Sequence, residues 1–314
     1  MTRFIAKRLF AMIPVMFLVS LGVFFIVHLT PGDPALLMLG EEATPQNLAA
    51  LRKDLGLDQP LHIQYWNWLS KVLQGDLGKS IRTRQSVSKA IEQRLPATLE
   101  LTTLAMLVSL CIAIPTGIIA ATRRNSASDL ISTTGALLGV SMPNFFLAIL
   151  LIFLFSLHLR WLPAIGYTAI DKDVIANLRG MVLPSLTLGL AAAAVVSRLT
   201  RSSLLEVLNQ DYVRTARAKG LAERFVVFRH ALKNALIPVI TIIGLQVGAL
   251  LGGAVITETI FVIPGIGSLV VTSIFERDYP LLQGAVLFLA FIHLIVNLVV
   301  DILYGFLDPR IRYA

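Results

Sequence analysis

Apolar positions in this chain fall in long uninterrupted runs, not in alternation. Leu9 to Gly32 contains no charged residue. Five more uncharged runs follow, at Leu101–Thr122, Leu130–Leu159, Gly180–Ser197, Asn234–Thr257 and Tyr279–Val300. Each approaches the ~20 residues that carry an α-helix across a bilayer core of ~30 Å. The pattern predicts six spans, over about 9–30, 100–122, 130–158, 181–199, 235–257 and 280–302. Lipid offers no partner to backbone N–H and C=O groups, so helices are the expected solution. No segment with a strand period stands out. The predicted fold is all-α, a single polytopic membrane domain over residues 1–314. The fourth run is marginal and closes in Ser197-Arg198-Leu199-Thr200-Arg201. The third contains Gly139 and Pro143 and is expected to tilt or kink.

The first run follows Arg3, Lys7 and Arg8, as in a signal peptide. It exceeds the ~7–15 residues of a cleavable apolar region and closes in no small-x-small site, so a retained span is expected. Residues 31–95 form a long polar loop. Asn47-Leu48 through Leu55-Gly56 reads as a short amphipathic helix stopped by glycine. Ile63–Leu73, rich in Trp and Tyr, reads as an interfacial one.

Short loops set the orientation. Arg123 and Arg124 follow the second run. Arg198, Arg201, Arg214, Arg217, Lys219, Arg224, Arg229 and Lys233 lie between the fourth and fifth, whereas the loop after the fifth has only Arg277. The positive-inside rule puts both termini in the cytoplasm. Thr30–Leu95 carries eight Lys/Arg. Loops beyond ~60 residues cross largely regardless of charge, so this one is expected outside.

Composition agrees. Hydrophobic residues make up 56% and charged residues 15% of the chain, against ~25% charged in a soluble domain. The net charge of +8 gathers beside apolar runs without interleaved aromatics. That pattern disfavours a nucleic-acid partner. The single cysteine, Cys111, forms no internal disulfide, and no Cys/His cluster has zinc spacing.

Catalytic constellations are missing. Gly75-Asp-Leu-Gly78-Lys79-Ser80 looks like the tail of a phosphate-binding loop, but Leu73 stands where the first glycine is needed, so a plain turn is expected. There is no His-Glu-x-x-His, no Gly-x-Ser-x-Gly and no carboxylate pair within a span. His293, Asn297 and Asp301 share one face of the last helix, and a helix-packing role is favoured over a functional one.

The most informative stretch is polar. In Asp211-Tyr-Val-Arg-Thr-Ala-Arg-Ala-Lys-Gly220, Asp211 is suited to N-cap a short helix and Gly220 to end it in a left-handed conformation. Arg214, Arg217 and Lys219 place charge toward its C-terminal end, where the helix dipole favours it. Ala216 and Ala218 keep the surface short enough for close docking. A second helix, about Glu223–Ala235, then leads to Ile237-Pro238. Residues 201–234 thus predict a compact knob for another protein to grip. A basic loop on anionic headgroups is the alternative, but it leaves the caps, the small residues and the glycine unexplained.

Arg214–Gly220 followed by His230-Ala-Leu-Lys-Asn234-Ala-Leu-Ile-Pro238 resembles the cytoplasmic loop of bacterial ABC-importer permeases. More narrowly, the chain is similar to the first permease of the dipeptide/oligopeptide/nickel family. The likeness runs through Thr30-Pro-Gly-Asp-Pro34, Leu95-Pro-Ala-Thr-Leu-Glu-Leu101, Gly139-Val-Ser-Met-Pro-Asn-Phe145, Leu251-Gly-Gly-Ala-Val-Ile-Thr-Glu258, Arg277-Asp-Tyr-Pro280 and Asp308-Pro-Arg-Ile-Arg312. The wider group opens its knob with an acidic residue where Arg214 stands here, so that residue's contacts do not carry over.

The resemblance implies a type I importer permease fold in the bacterial inner membrane. It implies a second homologous permease, two cytoplasmic ABC ATPases that bind ATP and Mg, and an extracytoplasmic substrate-binding protein. The chain itself would hold no cofactor and catalyse nothing. Asp211, Tyr212, Arg214, Thr215, Ala216, Arg217, Ala218, Lys219 and Gly220 would form the ATPase-coupling segment. Peptides are the expected cargo, with glutathione, nickel or a nickel chelate as alternatives. An ion-coupled secondary carrier is the alternative of another class. It would want paired broken helices and a midplane charge, and neither is evident. Ser141, Met142, Asn144 and Gln246 are polar or soft groups within spans. They either line the route or bond helix to helix. Glu258, at the end of the fifth span, is a candidate for an outer gate.

Overall fold

The computed structural model describes residues 2–29, 36, 44–54 and 57–307. The motifs at Thr30–Pro34 and Asp308–Arg312, and the expected stop at Leu55-Gly56, lie outside them. The described residues form helices, with one isolated bridge between Lys79 and Ser86. The helices are α1 (Thr2–Leu29), α2 (Pro45–Asp54), α3 (Leu61–Leu73), α4 (Val87–Thr122), α5 (Ala127–Ser141), α6 (Asn144–Leu151), α7 (Val174–Leu208), α8 (Asp211–Ala218), α9 (Glu223–Phe225), α10 (Leu232–Phe261), α11 (Ile266–Phe275) and α12 (Tyr279–Leu307). π-helical turns at Ile152–His158 and Val226–Ala231 extend α6 and join α9 to α10. Five helical stretches are long and apolar enough to cross a membrane, and α5 with α6 adds a sixth if that bent pair is one span.

That pair bends by 109°. Met142 leaves the helix, and Pro143 is extended with φ −60° and ψ 139°. Proline pushes the residue before it out of the α region, which ends α5 and restarts the chain as α6.

The chain divides into two compact units. One contains residues 97–264 and the chain from 296 on; the other contains 2–96 and 265–295. The first is organised on α7. In its most apolar stretch 67% of residues are buried, against 33% or fewer in the other single-helix spans. Leu183 and Leu188 of α7 pack with Leu101 and Ala105 of α4, Ala148 of α6 and Leu250, Ala254 and Phe261 of α10. A Cβ on Gly117 of α4 would lie 2.6 Å from Thr200 Cβ and 2.8 Å from the Ser197 carbonyl, so only glycine permits this approach of α4 to α7. The Thr116 and Ser197 hydroxyls bond at 2.9 Å beside it. Arg201 of α7 makes a bidentate pair with buried Asp129 of α5, at 2.7 and 2.8 Å.

The second unit packs Val87, Ala90 and Ile91 against Ile266, Leu269, Leu281 and Ala285. Phe24 of α1 meets Tyr65 of α3 edge to face at 5.3 Å, and the Tyr65 and Ser20 hydroxyls bond at 2.7 Å. The Gly75–Ser80 stretch is a turn with Gly75 and Gly78 both left-handed. Ser80 donates to buried Asp278, whose other oxygen accepts from the Ile81 N–H at 3.2 Å.

Candidate functional site

The structure resolves the basic segment into a short helix and the start of a long one. The helix α8 opens at Asp211, but Asp211 does not cap it. Gln210 holds the N-cap position and makes no side-chain bond there. The Asp211 carboxylate instead accepts from Arg214 at 3.4 Å, an exposed contact. Gly220 follows the C-cap with φ +80°, the left-handed geometry expected of it. The expected second helix does not stop ahead of Pro238. From Glu223 the chain runs through a π-helical turn into α10, with Pro238 inside the helix. Membrane helices accept an interior proline because neighbouring groups satisfy the freed carbonyl.

Ala216, expected on the surface of the segment, is not exposed. It is buried with Val213 and Val226, and Val207 and Leu208 pack against this small core. Its small side chain lets α8 lie close to the chain leaving the glycine turn. Asp211, Tyr212, Arg214, Thr215, Arg217, Ala218, Lys219 and Gly220 are exposed. Arg217 braces the segment from its surface. Its Nε and Nη2 donate to Glu223 at 3.1 and 2.7 Å, and Nη1 donates to the Leu208 carbonyl at 3.3 Å. The hydrogen-bonded Glu223 carboxylate holds the guanidinium above its ordinary range. Asn234 donates to the Tyr212 hydroxyl at 2.8 Å and ties α8 to α10. Nothing in the local sequence pattern marked Glu223 or Asn234. Their partners lie six and 22 residues away.

The intramembrane candidates separate. Asn144 and Gln246 line one cavity of about 240 Å³, together with Val140, Leu188, Ala191, Ala192, Val195, Ala249, Leu250 and Gly253. The bend at Pro143 delivers Asn144 to this wall as the first residue of α6. Ser141, exposed, and Met142, half-buried, do not line it. Glu258 is elsewhere and fully buried. It accepts from the Thr98 hydroxyl at 2.6 Å, and its carbonyl accepts from the Ile263 N–H at 2.8 Å, past left-handed Val262. Nearby, the Tyr167 hydroxyl donates to Glu100 at 2.8 Å. Burial first, and then that carboxylate, pushes the Tyr167 hydroxyl above its ordinary range. Among the described residues no cluster of His, Cys, Asp or Glu could hold a metal ion.

Long apolar helices, a braced polar knob and a partly open cavity with two carboxamides on its wall are the features of a membrane transport subunit. The chain belongs to the family described as binding-protein-dependent transport system inner membrane component, matched over residues 113–313, with the N-terminal part of that family matched over residues 1–102. It is thus a non-catalytic permease subunit of an ABC importer and a multi-pass inner-membrane protein. It is 46% identical over 313 residues, all of both chains, to the glutathione transport system permease protein GsiC of Salmonella choleraesuis strain SC-B67 and to that of Escherichia coli strain K12. Its fold is similar to a chain of the MetNI methionine ABC transporter in inward-facing conformations. There the TM-score is 0.58 at 15% identity, covering 70% of this chain and 96% of that one.

Proposed function

We propose that this chain is one half of the membrane pathway of a glutathione importer. The observation that carries this reading is the 46% identity to GsiC proteins along the full length of both chains. It favours glutathione over the general di- and oligopeptide cargo expected from sequence. The chemistries are close, since glutathione is itself a tripeptide. Nickel is disfavoured by the missing metal-ligand cluster among the described residues.

The partners would be a second permease, two cytoplasmic ATPases that carry ATP and Mg, and an external binding protein that delivers the cargo. Both termini and the 201–234 segment would face the cytoplasm. The exposed face of α8, with Tyr212, Arg214, Thr215, Ala218 and Lys219, would dock on an ATPase. The Arg217–Glu223 and Tyr212–Asn234 contacts would make the knob stiff enough to pass motion to α7 and α10. A motor shifts such an equilibrium only by binding its two states differently.

The test is uptake by the assembled complex in proteoliposomes, with external binding protein and internal ATP. Labelled glutathione should accumulate and outcompete dipeptides and nickel. Accumulation of dipeptides with no glutathione uptake would overturn the cargo assignment.

A further inference from the structure

The cavity beside the bend in the third span contains two carboxamides and no ionisable side chain. Neither Asn144 nor Gln246 has a side-chain hydrogen-bond partner among the described residues. Both side chains are half-buried and face a partly open space. An unpaired carboxamide away from water carries a free-energy cost, and bonding helix to helix is its common remedy. Here both amides are left on the wall of one open space. The rest of that wall is aliphatic or small, Leu188, Ala192 and Leu250 among it. Gly253 keeps the space clear. A Cβ there would stand 3.2 Å from Leu188 Cδ2 and 3.7 Å from Asn144 Nδ2.

We infer that this cavity is a subsite for a peptide group of the cargo, with Gln246 and Asn144 as its specificity-determining residues. A carboxamide offers a carbonyl acceptor and an NH2 donor. A peptide group offers the complementary N–H and C=O. The wall supplies no cation for a carboxylate and no carboxylate for an ammonium, and an unpaired charge in such a site is costly. The neutral amide is the part of a peptide that this wall can hold. At about 240 Å³ the space falls below the ~300–1,000 Å³ that encloses a drug-sized ligand. It therefore takes one amide with its flanking carbons, and the charged ends of the cargo lie beyond it. The inference rests on reading the chain as part of the pathway, and not on which peptide is carried.

The experiment uses the complete transporter in proteoliposomes, with the binding protein held constant. Glutathione and trialanine are each compared with analogues in which one peptide bond is an ester, which removes a single N–H. The wild-type complex should take the amide over the ester by about fivefold in kcat/KM, as one net neutral hydrogen bond implies. Gln246→Met and Asn144→Leu should each bring that ratio toward one. Gly252→Ala, on the same helix with open space around it, should leave it unchanged.

Wild-type discrimination that both variants retain would overturn the inference, as would a wild type that does not discriminate. Gln246→Met keeps side-chain length and helix propensity. Complete loss of both amide and ester uptake by that variant, in an assembled complex, also contradicts the loss of one hydrogen bond. Import of trialanine but not glutathione would sink the cargo assignment and leave the subsite standing. A complex that imports neither compound overturns both readings.

Discussion

The knob and the cavity treat their polar groups in opposite ways. In the knob, Arg217, Glu223, Tyr212 and Asn234 are bonded to one another across a glycine turn. In the cavity, Asn144 and Gln246 bond to nothing among the described residues. A polar group that is satisfied within the chain fixes a shape. One that is left open is available to a ligand. The contrast assigns stiffness to the 211–234 knob of the first unit and adaptability to the cavity wall.

The largest effect is expected where the knob's own core is broken. Val213 is fully buried, and Val213→Asp would place a carboxylate among Ala216 and Val226. An unpaired buried charge costs several kcal/mol. The variant should lose the ATPase subunits on co-purification while the membrane bundle still inserts and extracts normally. Retention of the ATPases at wild-type stoichiometry would break the comparison.

Next comes the pair that ties α5 to α7. Asp129→Ala leaves the Arg201 guanidinium without the carboxylate that holds it at 2.7 and 2.8 Å and should lower stability. The purified protein should unfold at a lower temperature, read by scanning fluorimetry. Asp129→Glu should recover part of that loss.

Gly220 comes third. Its φ of +80° strains any side chain, so Gly220→Val should lower stability by about 1–2 kcal/mol. Nothing lies within 4 Å of its missing Cβ, so strain alone, without a clash, would carry the effect. The uptake rate should fall more than the protein yield.

The smallest stability effect belongs to Arg217→Ala. Its ion pair is largely exposed, with 40% and 59% side-chain exposure on the two partners, and such pairs contribute about 0–1 kcal/mol. Uptake should still fall, because the brace sets geometry more than stability. Equal uptake by Arg217→Ala and wild type would remove stiffness from the account of the knob.

How much of this was legible in the sequence follows from the range of the interactions. The bend at Pro143 and the left-handed Gly220 were readable because proline and glycine act on their own backbone. The helical fold was readable from the apolar runs. The importance of α7 was not. Its run at Gly180–Ser197 is the least convincing span by pattern, yet it is the most buried. A helix enclosed by other helices need not be as apolar as one bathed in lipid, so hydropathy tracks exposure to lipid and not centrality. Ala216 is expected at the surface from sequence because composition does not say which side of an eight-residue helix points inward. Residues Val213, Ala216 and Val226 do, but Val226 lies beyond the glycine turn. The convergence of Asn144 and Gln246 depends on a 109° bend and on a residue 102 positions later in the chain, and no local pattern encodes that.

The most direct test of the central claim is cross-linking at the knob's exposed face. Cys111 would first be replaced by Ser to give a background without thiols, and cysteine then introduced as Ala218→Cys. In the assembled complex, a short bifunctional thiol reagent should join position 218 to an ATPase subunit that carries a cysteine in its docking groove, and nucleotide should change the yield. Absence of any adduct at 218, with adducts forming instead from single cysteines placed in parallel variants in the N-terminal helix or the 75–86 turn, would contradict the claim that this chain is moved through its 211–220 segment.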